Sequence, residues 1–230
     1  MREAFAVRVA TLERGIEDEL ERAAVMLADI ADAVRTPGEE KVLEIADEAL
    51  RLRRAGRSAD AELVIVTARH APVARDLRLV LALIEVAHRS VLIANQFDLI
   101  GEQLCKLDPY AVDRSATAAS LSAMTHLAGS QLLHAVGAFA SRDLALARRI
   151  DVEDDEVDRL NREVFDETLA RDDAPKRREC ALRHVLIARC VERIADNAVD
   201  IAEQTAFLVT GECSEFTDAS RPRRRALQLP

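Results

Sequence analysis

The sequence predicts an all-α protein made of two tandem three-helix bundles, six long antiparallel helices in total. Apolar residues recur three and four apart through most of the chain, which is the period of a helix with one buried face. Structure breakers are scarce. The 230 residues include only seven glycines and six prolines, and aromatics are 3% with no tryptophan. Ala, Leu, Arg, Glu and Asp dominate, the palette of helix bundles. The breakers also fall in a repeating order: helix, Pro, helix, Ala-Pro, helix, then Asp-Pro, helix, helix, Ala-Pro, helix.

Leu12, Ile16, Leu20, Ala23, Leu27, Ile30 and Val34 form the stripe of the first helix. Thr36-Pro37-Gly38-Glu39 reads as a capping box for the second, with proline at the first helical position. That helix runs from about Pro37 to His70, through an Arg-rich middle that contains the helix-weakening Gly56. Ala71-Pro72 breaks the chain. A third helix then carries Leu79, Leu83, Val86, Ser90, Ile93, Phe97 and Ile100 and continues to about Cys105. Asp108-Pro109 marks the next start. Leu121, Met124, Ala128, Leu132, Ala135 and Phe139 belong to the fourth helix. Ser141 is expected to cap a fifth that buries Ile150, Val157, Leu160 and Val164 and ends near Asp172. Ala174-Pro175 opens a sixth that ends around Gly211, and no periodicity remains from Cys213 to Pro230.

The expected divisions are therefore 1–107, 108–211 and a loose tail at 212–230. Ile93-Ala94-Asn95 aligns with Ile194-Ala195-Asp196, and Glu102 with Glu203, at one common offset of 101 residues. That agreement reads as an internal duplication of a three-helix unit. Helices of roughly 30 residues span about 45 Å at 1.5 Å per residue.

Composition excludes several functions. A net charge of −9 argues against nucleic-acid binding, which needs clustered Lys and Arg. No apolar run approaches the roughly 20 residues of a membrane span. Met1-Arg2-Glu3 leads directly into an amphipathic pattern with no signal peptide, and Cys105, Cys180, Cys190 and Cys213 form no CxxC pair, so the expected compartment is a reducing cytoplasm. There is no Gly-rich phosphate loop, and no nucleophile, base and acid can be placed together, so no catalytic residue is assigned.

The most informative stretch is Cys190–Glu203. Glu192, Asp196 and Asp200 are four apart and form a ridge, and Val191, Ala195, Val199 and Ala202 run beside it. Asp154 and Asp158 share a face of helix five in the same way, with Asp155 and Glu156 between them. Helices five and six are joined by a short connection and should be antiparallel neighbours. Asp154, Asp155, Asp158, Glu192, Asp196 and Asp200 could thus converge along one seam. Carboxylates beside a core repel one another unless something neutralises them. Spacing alone leaves two readings: a cation held by hard oxygen ligands, suiting Mg, Mn or Fe, or a solvated acidic face paired with Arg159, Arg162, Arg189 and Arg193. The first repeat has Val91, Asn95 and Leu99 at the ridge positions, with Arg51, Arg53 and Arg54 on the counterpart helix, so at most about one metal site per chain is expected, in the second repeat.

Two weaker features remain. Glu85-x-x-His88 matches the motif of di-iron carboxylate bundles, but those need two copies. Arg221-Pro222-Arg223-Arg224-Arg225 is a basic cluster on an acidic chain, read as a solubilising tail or as a contact for anionic lipid or an acidic partner.

The run Glu192-Arg193-Ile194-Ala195-Asp196-Asn197-Ala198-Val199-Asp200-Ile201-Ala202-Glu203 resembles the signature of the PhoU family, regulators of bacterial phosphate uptake. Pro72-Val73-Ala74-Arg75-Asp76-Leu77-Arg78 and Asp154-Asp155-Glu156-Val157-Asp158-Arg159-Leu160 are similar to further family runs, in the same order. The resemblance implies two three-helix bundles, and metal carried by an acid-xxx-Asp pair on each of two helices, often as a small iron or zinc cluster. It implies a cytoplasmic adaptor and negative regulator of phosphate uptake and starvation signalling. Its partners would be the ATPase subunit of the phosphate ABC importer, the phosphate-sensing histidine kinase and a second copy of the chain. The rival expectation is a ferritin-like di-metal oxidase or metal-storage protein.

Overall fold

Among the described residues six helices form where the periodicity places them: α1 (Arg2–Ala33), α2 (Glu39–His70), α3 (Ala74–Leu104), α4 (Ala116–Ser141), α5 (Leu144–Leu169) and α6 (Pro175–Thr210). The structure, a computed structural model, describes residues 2–108, 116–170, 175–213 and 216, and no strand occurs among them. Pro109, Asp172, Ala174 and the Arg221–Arg225 cluster lie outside the described residues.

Two helix starts differ from expectation. The N-cap of α2 is Gly38, in extended backbone, with no side-chain cap. Thr36 does not close a capping box, because its hydroxyl donates to the Asp32 carbonyl at 3.1 Å and serves the end of α1 instead. The N-cap of α5 is Asp143, whose carboxylate accepts from the N–H groups of Ala145 and Leu146 at 2.9 and 3.0 Å. Ser141 turns back and donates to the Gly137 carbonyl. In both cases the hydroxyl reaches a carbonyl four residues behind it, a local bond that competes with forward capping.

Neighbouring helices describe two layers. α2, α3, α6 and α5 lie side by side in that order, while α1 packs on α2, α3 and α4, and α4 on α1, α5 and α6. The buried apolar side chains of all six helices join in one hydrophobic cluster. Its largest fully buried members include Phe97, Phe139, Leu27, Ile30, Leu83 and Ile93. Two glycines set the closest approaches. A Cβ on Gly56 would meet the Ala87 carbonyl at 2.7 Å and Val91 Cγ2 at 2.9 Å, so the glycine that weakened α2 as a sequence feature is what lets α3 nest against it. A Cβ on Gly129 would meet the Ala24 carbonyl at 3.0 Å, bringing α1 onto α4.

The register of the four-helix layer follows from its polar contacts. Arg53 on α2 pairs with Asp98 on α3. Arg89 on α3 reaches Asp200 on α6 at 2.9 Å, and Arg183 on α6 reaches Gln103 at 3.2 Å. Residue numbers rise on one helix as they fall on the next, so α3 runs antiparallel to both α2 and α6.

Candidate functional site

The junction of α4, α5 and α6 holds the acidic residues that the spacing singled out, though not as one converging set. Asp154 and Asp158 are both buried on α5. Gln131 of α4 donates from Nε2 to Asp154 Oδ1 at 2.9 Å and lies 3.5 Å from the Ala195 carbonyl. This ties Asp154 inward, toward the layer beneath. Asp158, one turn further along α5, acts electrostatically on Glu192 of α6. Glu192 is largely buried and accepts from Arg189, one helical turn before it. Burial pushes its carboxyl above the usual range and the Asp158 charge adds to this, while Arg189 and a hydrogen bond from Asn161 pull it down.

The remaining three acids lie elsewhere. Asp155 and Asp196 are exposed. Asp200 is half-buried and pairs with Arg89 of α3, which also binds Glu85. The expected convergence of six carboxylates therefore needs correction: four residues on from Asp196 the ridge has already rotated toward α3, about 40° per step of four. Asp155 sits about 100° round α5 from Asp154, which carries it out of the helix interface.

Gln131 carries no metal-binding signature and was missed, yet it stands on the α4 stripe between Ala128 and Ala135, where a lone amide among apolar residues is itself a signal. Its side chain is 1% exposed, and its Oε1 has no partner. Among the described residues no group of three or more His, Cys, Asp or Glu side chains is placed to hold a metal ion.

The first half shows what replaces acid. Arg53 lies 101 residues before Asp154 and occupies the matching groove between α2 and α3. Its Nε donates to Asn95 Oδ1 at 3.3 Å and its Nη2 to the Ala94 carbonyl at 3.4 Å, alongside the ion pair with Asp98. A guanidinium fills that groove, as Val91 and Asn95 at the ridge positions foretold. Arg51 instead approaches Glu48, and Arg54 lines an open groove facing α1. The di-iron motif also dissolves, since Glu85 is bound to Arg89 and His88 is exposed.

Residues 121–205, spanning α4, α5 and most of α6, match the PhoU domain model. A PhoU homolog of Pseudomonas aeruginosa, described as a phosphate-specific transport system accessory protein, is 30% identical over 181 residues, which are 75% of this chain and 70% of that protein. The chain belongs to the PhoU family. Similarly described homologs from Methanothermobacter thermautotrophicus and Rhizobium meliloti are 25% identical over 90% of this chain and 95% of theirs, and 26% identical over 82% and 76%. The fold is that of PhoU crystal structures. The regulatory protein from Streptococcus pneumoniae matches with a TM-score of 0.80 at 17% identity, over 91% of this chain and 99% of that one. PhoU from Pseudomonas aeruginosa matches at 0.69 and 24% identity, over 91% and 97%. The family-model match covers both halves of the acidic seam.

Proposed function

We propose that this chain is an accessory regulator of phosphate uptake that acts by contact: a negative regulator that docks on the ATPase subunit of the phosphate ABC importer and on the phosphate-sensing histidine kinase. Membership of the PhoU family is the observation that carries this reading. The geometry supports it, because long helices in two layers offer broad charged faces. No helix among the described residues is long and apolar enough to cross a membrane; in this reading the protein is cytoplasmic and reaches the inner membrane face through its partners. Deleting the gene should switch on phosphate-starvation genes in phosphate-rich medium, and the purified importer ATPase should retain this chain on a column. Normal repression in the deletion strain together with no retention would reject the role.

Two further parts of the reading stand as proposals. The chain forms a homodimer, which light scattering would test directly. A divalent cation binds weakly in the second half, drawn to Asp158 and Glu192 rather than received by a preformed cluster. Support for the cation comes from the electrostatic effect of Asp158 on Glu192, whose carboxyl burial pushes above its usual range.

A further inference from the structure

α2 stands at one edge of the four-helix layer, packed on α3 and α1 alone among the described helices. Its free edge has the spacing of a helix–helix seam. Leu43, Asp47, Leu50, Arg54, Arg57 and Ala61 are alternately four and three apart, and all six are exposed. Leu43 and Leu50, one heptad apart, are 61% and 41% exposed. The charges on this edge are sorted. Exposed Glu39, Glu40, Glu44 and Asp47 fill its first half, against a half-buried Lys41, and exposed Arg51, Arg54 and Arg57 follow. Arg51 only approaches Glu48, at 4.0 Å, while Asp47 and Arg54 form no ion pair among the described residues. They stand seven residues, about 10 Å, apart on one face.

A helix edge that is acidic at its start and basic in its middle is complementary to itself run backwards. With two copies of α2 set antiparallel about a two-fold axis near Leu50 and Arg51, Asp47 of each copy stands opposite Arg54 of the other. A parallel pairing would set like charges against each other. Shape agrees with charge. The same axis brings Leu43 opposite Ser58 and Ala46 opposite Ala55. Ala55 and Ser58 line an open groove of about 560 Å³ beside Glu19, Leu50 and Arg54. The ion pairs of Arg8 with Glu62 and Arg22 with Glu48 set the register of α1 on α2, which puts Gly15 level with Ala55. A Cβ on Gly15 would meet nothing within 4 Å, so three small residues leave space where the protruding Leu43 of a second copy arrives. We propose that the free edge of α2 is a self-recognition face on which a second copy of this chain docks antiparallel, Asp47 pairing with Arg54 and Leu43 seating over Ala55 and Ser58. This rests on the homodimer proposed above and assigns its face. Two chains at −9 repel at long range, and the sorted halves of α2 supply the local attraction that fixes their orientation.

Light scattering on the intact chain, in a dilution series at roughly 0.1 M salt, tests it. Asp47→Arg leaves two positive charges at these positions, and Arg54→Asp leaves two negative ones. Each variant alone should dimerise at least about tenfold more weakly than the parent. Mixed in equal amounts, the two should form a heterodimer close to parental strength, because every charge then meets its opposite. Both positions are exposed, and recovery on mixing separates a lost pairing from a damaged fold. A parental dimer that both single changes leave intact overturns the proposal but spares the homodimer, whose face then lies elsewhere. Weakened variants that do not recover on mixing overturn it as well. A parental chain that stays monomeric throughout the series rejects the homodimer and this face together.

Discussion

Glu17 shows how a single residue on α1 carries a pH dependence. Its carboxyl is pushed up to about 7 from an ordinary 4.5, first by burial and then by Glu13, with Glu21 and Asp18 adding to the repulsion and Arg142 opposing it. Arg142 is held elsewhere, bonded to Glu13 and to the Phe139 carbonyl, with its guanidinium 4.8 Å over the Phe139 ring. A raised folded value means the fold prefers the protonated acid. Its contribution is complete below pH 4.5 and is lost as pH rises from there through about 7. Glu17→Gln should therefore match the parent near about pH 4 and be more stable near about pH 8, by ~1 kcal/mol once solvent screening of this half-exposed group is counted. Thermal melts across that range decide it; an unchanged pH slope in the variant would contradict the assignment. The sequence shows Glu13, Glu17 and Glu21 four apart, but not that Arg142 bends back to the first of them.

At the scale of elements, helix identity was legible and the caps of α2 and α5 were not. The 3.6-residue stripes of α1 to α6 come from tens of apolar positions acting together, whereas a cap rests on one side chain choosing among nearby backbone groups. Thr36 and Ser141 chose the carbonyl behind them, and Asp143, two residues later, took the cap. Asp143→Ala should cost about 1 kcal/mol and Ser141→Ala much less; calorimetry with the reverse ranking would restore the serine as cap. Gly56 reverses in the same way, from a weak point in the sequence to a fitted contact in the structure. Gly56→Ala gains up to about 1 kcal/mol of helix propensity but drives its Cβ to 2.7 Å from a backbone carbonyl that cannot step aside. The clash should win, with a net loss of about 1–3 kcal/mol. Gly15→Ala, where a Cβ meets nothing within 4 Å, should instead stabilise by about 0.5–1 kcal/mol. A Gly56→Ala chain as stable as Gly15→Ala would mean that α2 and α3 are not in this contact.

For the whole molecule, positions 101 residues apart carry opposite charges in two grooves, Arg53 between α2 and α3 and Asp154 between α4 and α5. Arg53 ties α2 to α3 through Asn95, Ala94 and Asp98, and needs no ion. Between α5 and α6, Asp158 acts electrostatically on Glu192, which Arg189 pairs with. Residue spacing disclosed which groove was acidic; it could not disclose that Gln131 rises from the layer beneath or that Arg89 draws Asp200 away, because both come from helices distant in sequence. The asymmetry makes a definite demand on cation dependence. Since the raised Glu192 carboxyl favours its neutral form, stability from this seam is complete below the ordinary carboxylate range and declines as Glu192 ionises with rising pH. A cation bound to the ionised pair opposes that decline by mass action. Added Mn should thus raise the melting temperature more at alkaline than at acidic pH, and a chelator should reverse it. Glu192→Gln with Asp158→Asn should remove the Mn response and flatten the pH dependence together, since both arise from the same two charges. Asn95→Ala with Asp98→Asn should leave the response intact while weakening the hold of Arg53 between α2 and α3. A Mn response that survives the first pair of changes, or disappears with the second, would place the cation in the wrong half and remove the basis for reading the two grooves as charge-inverted copies.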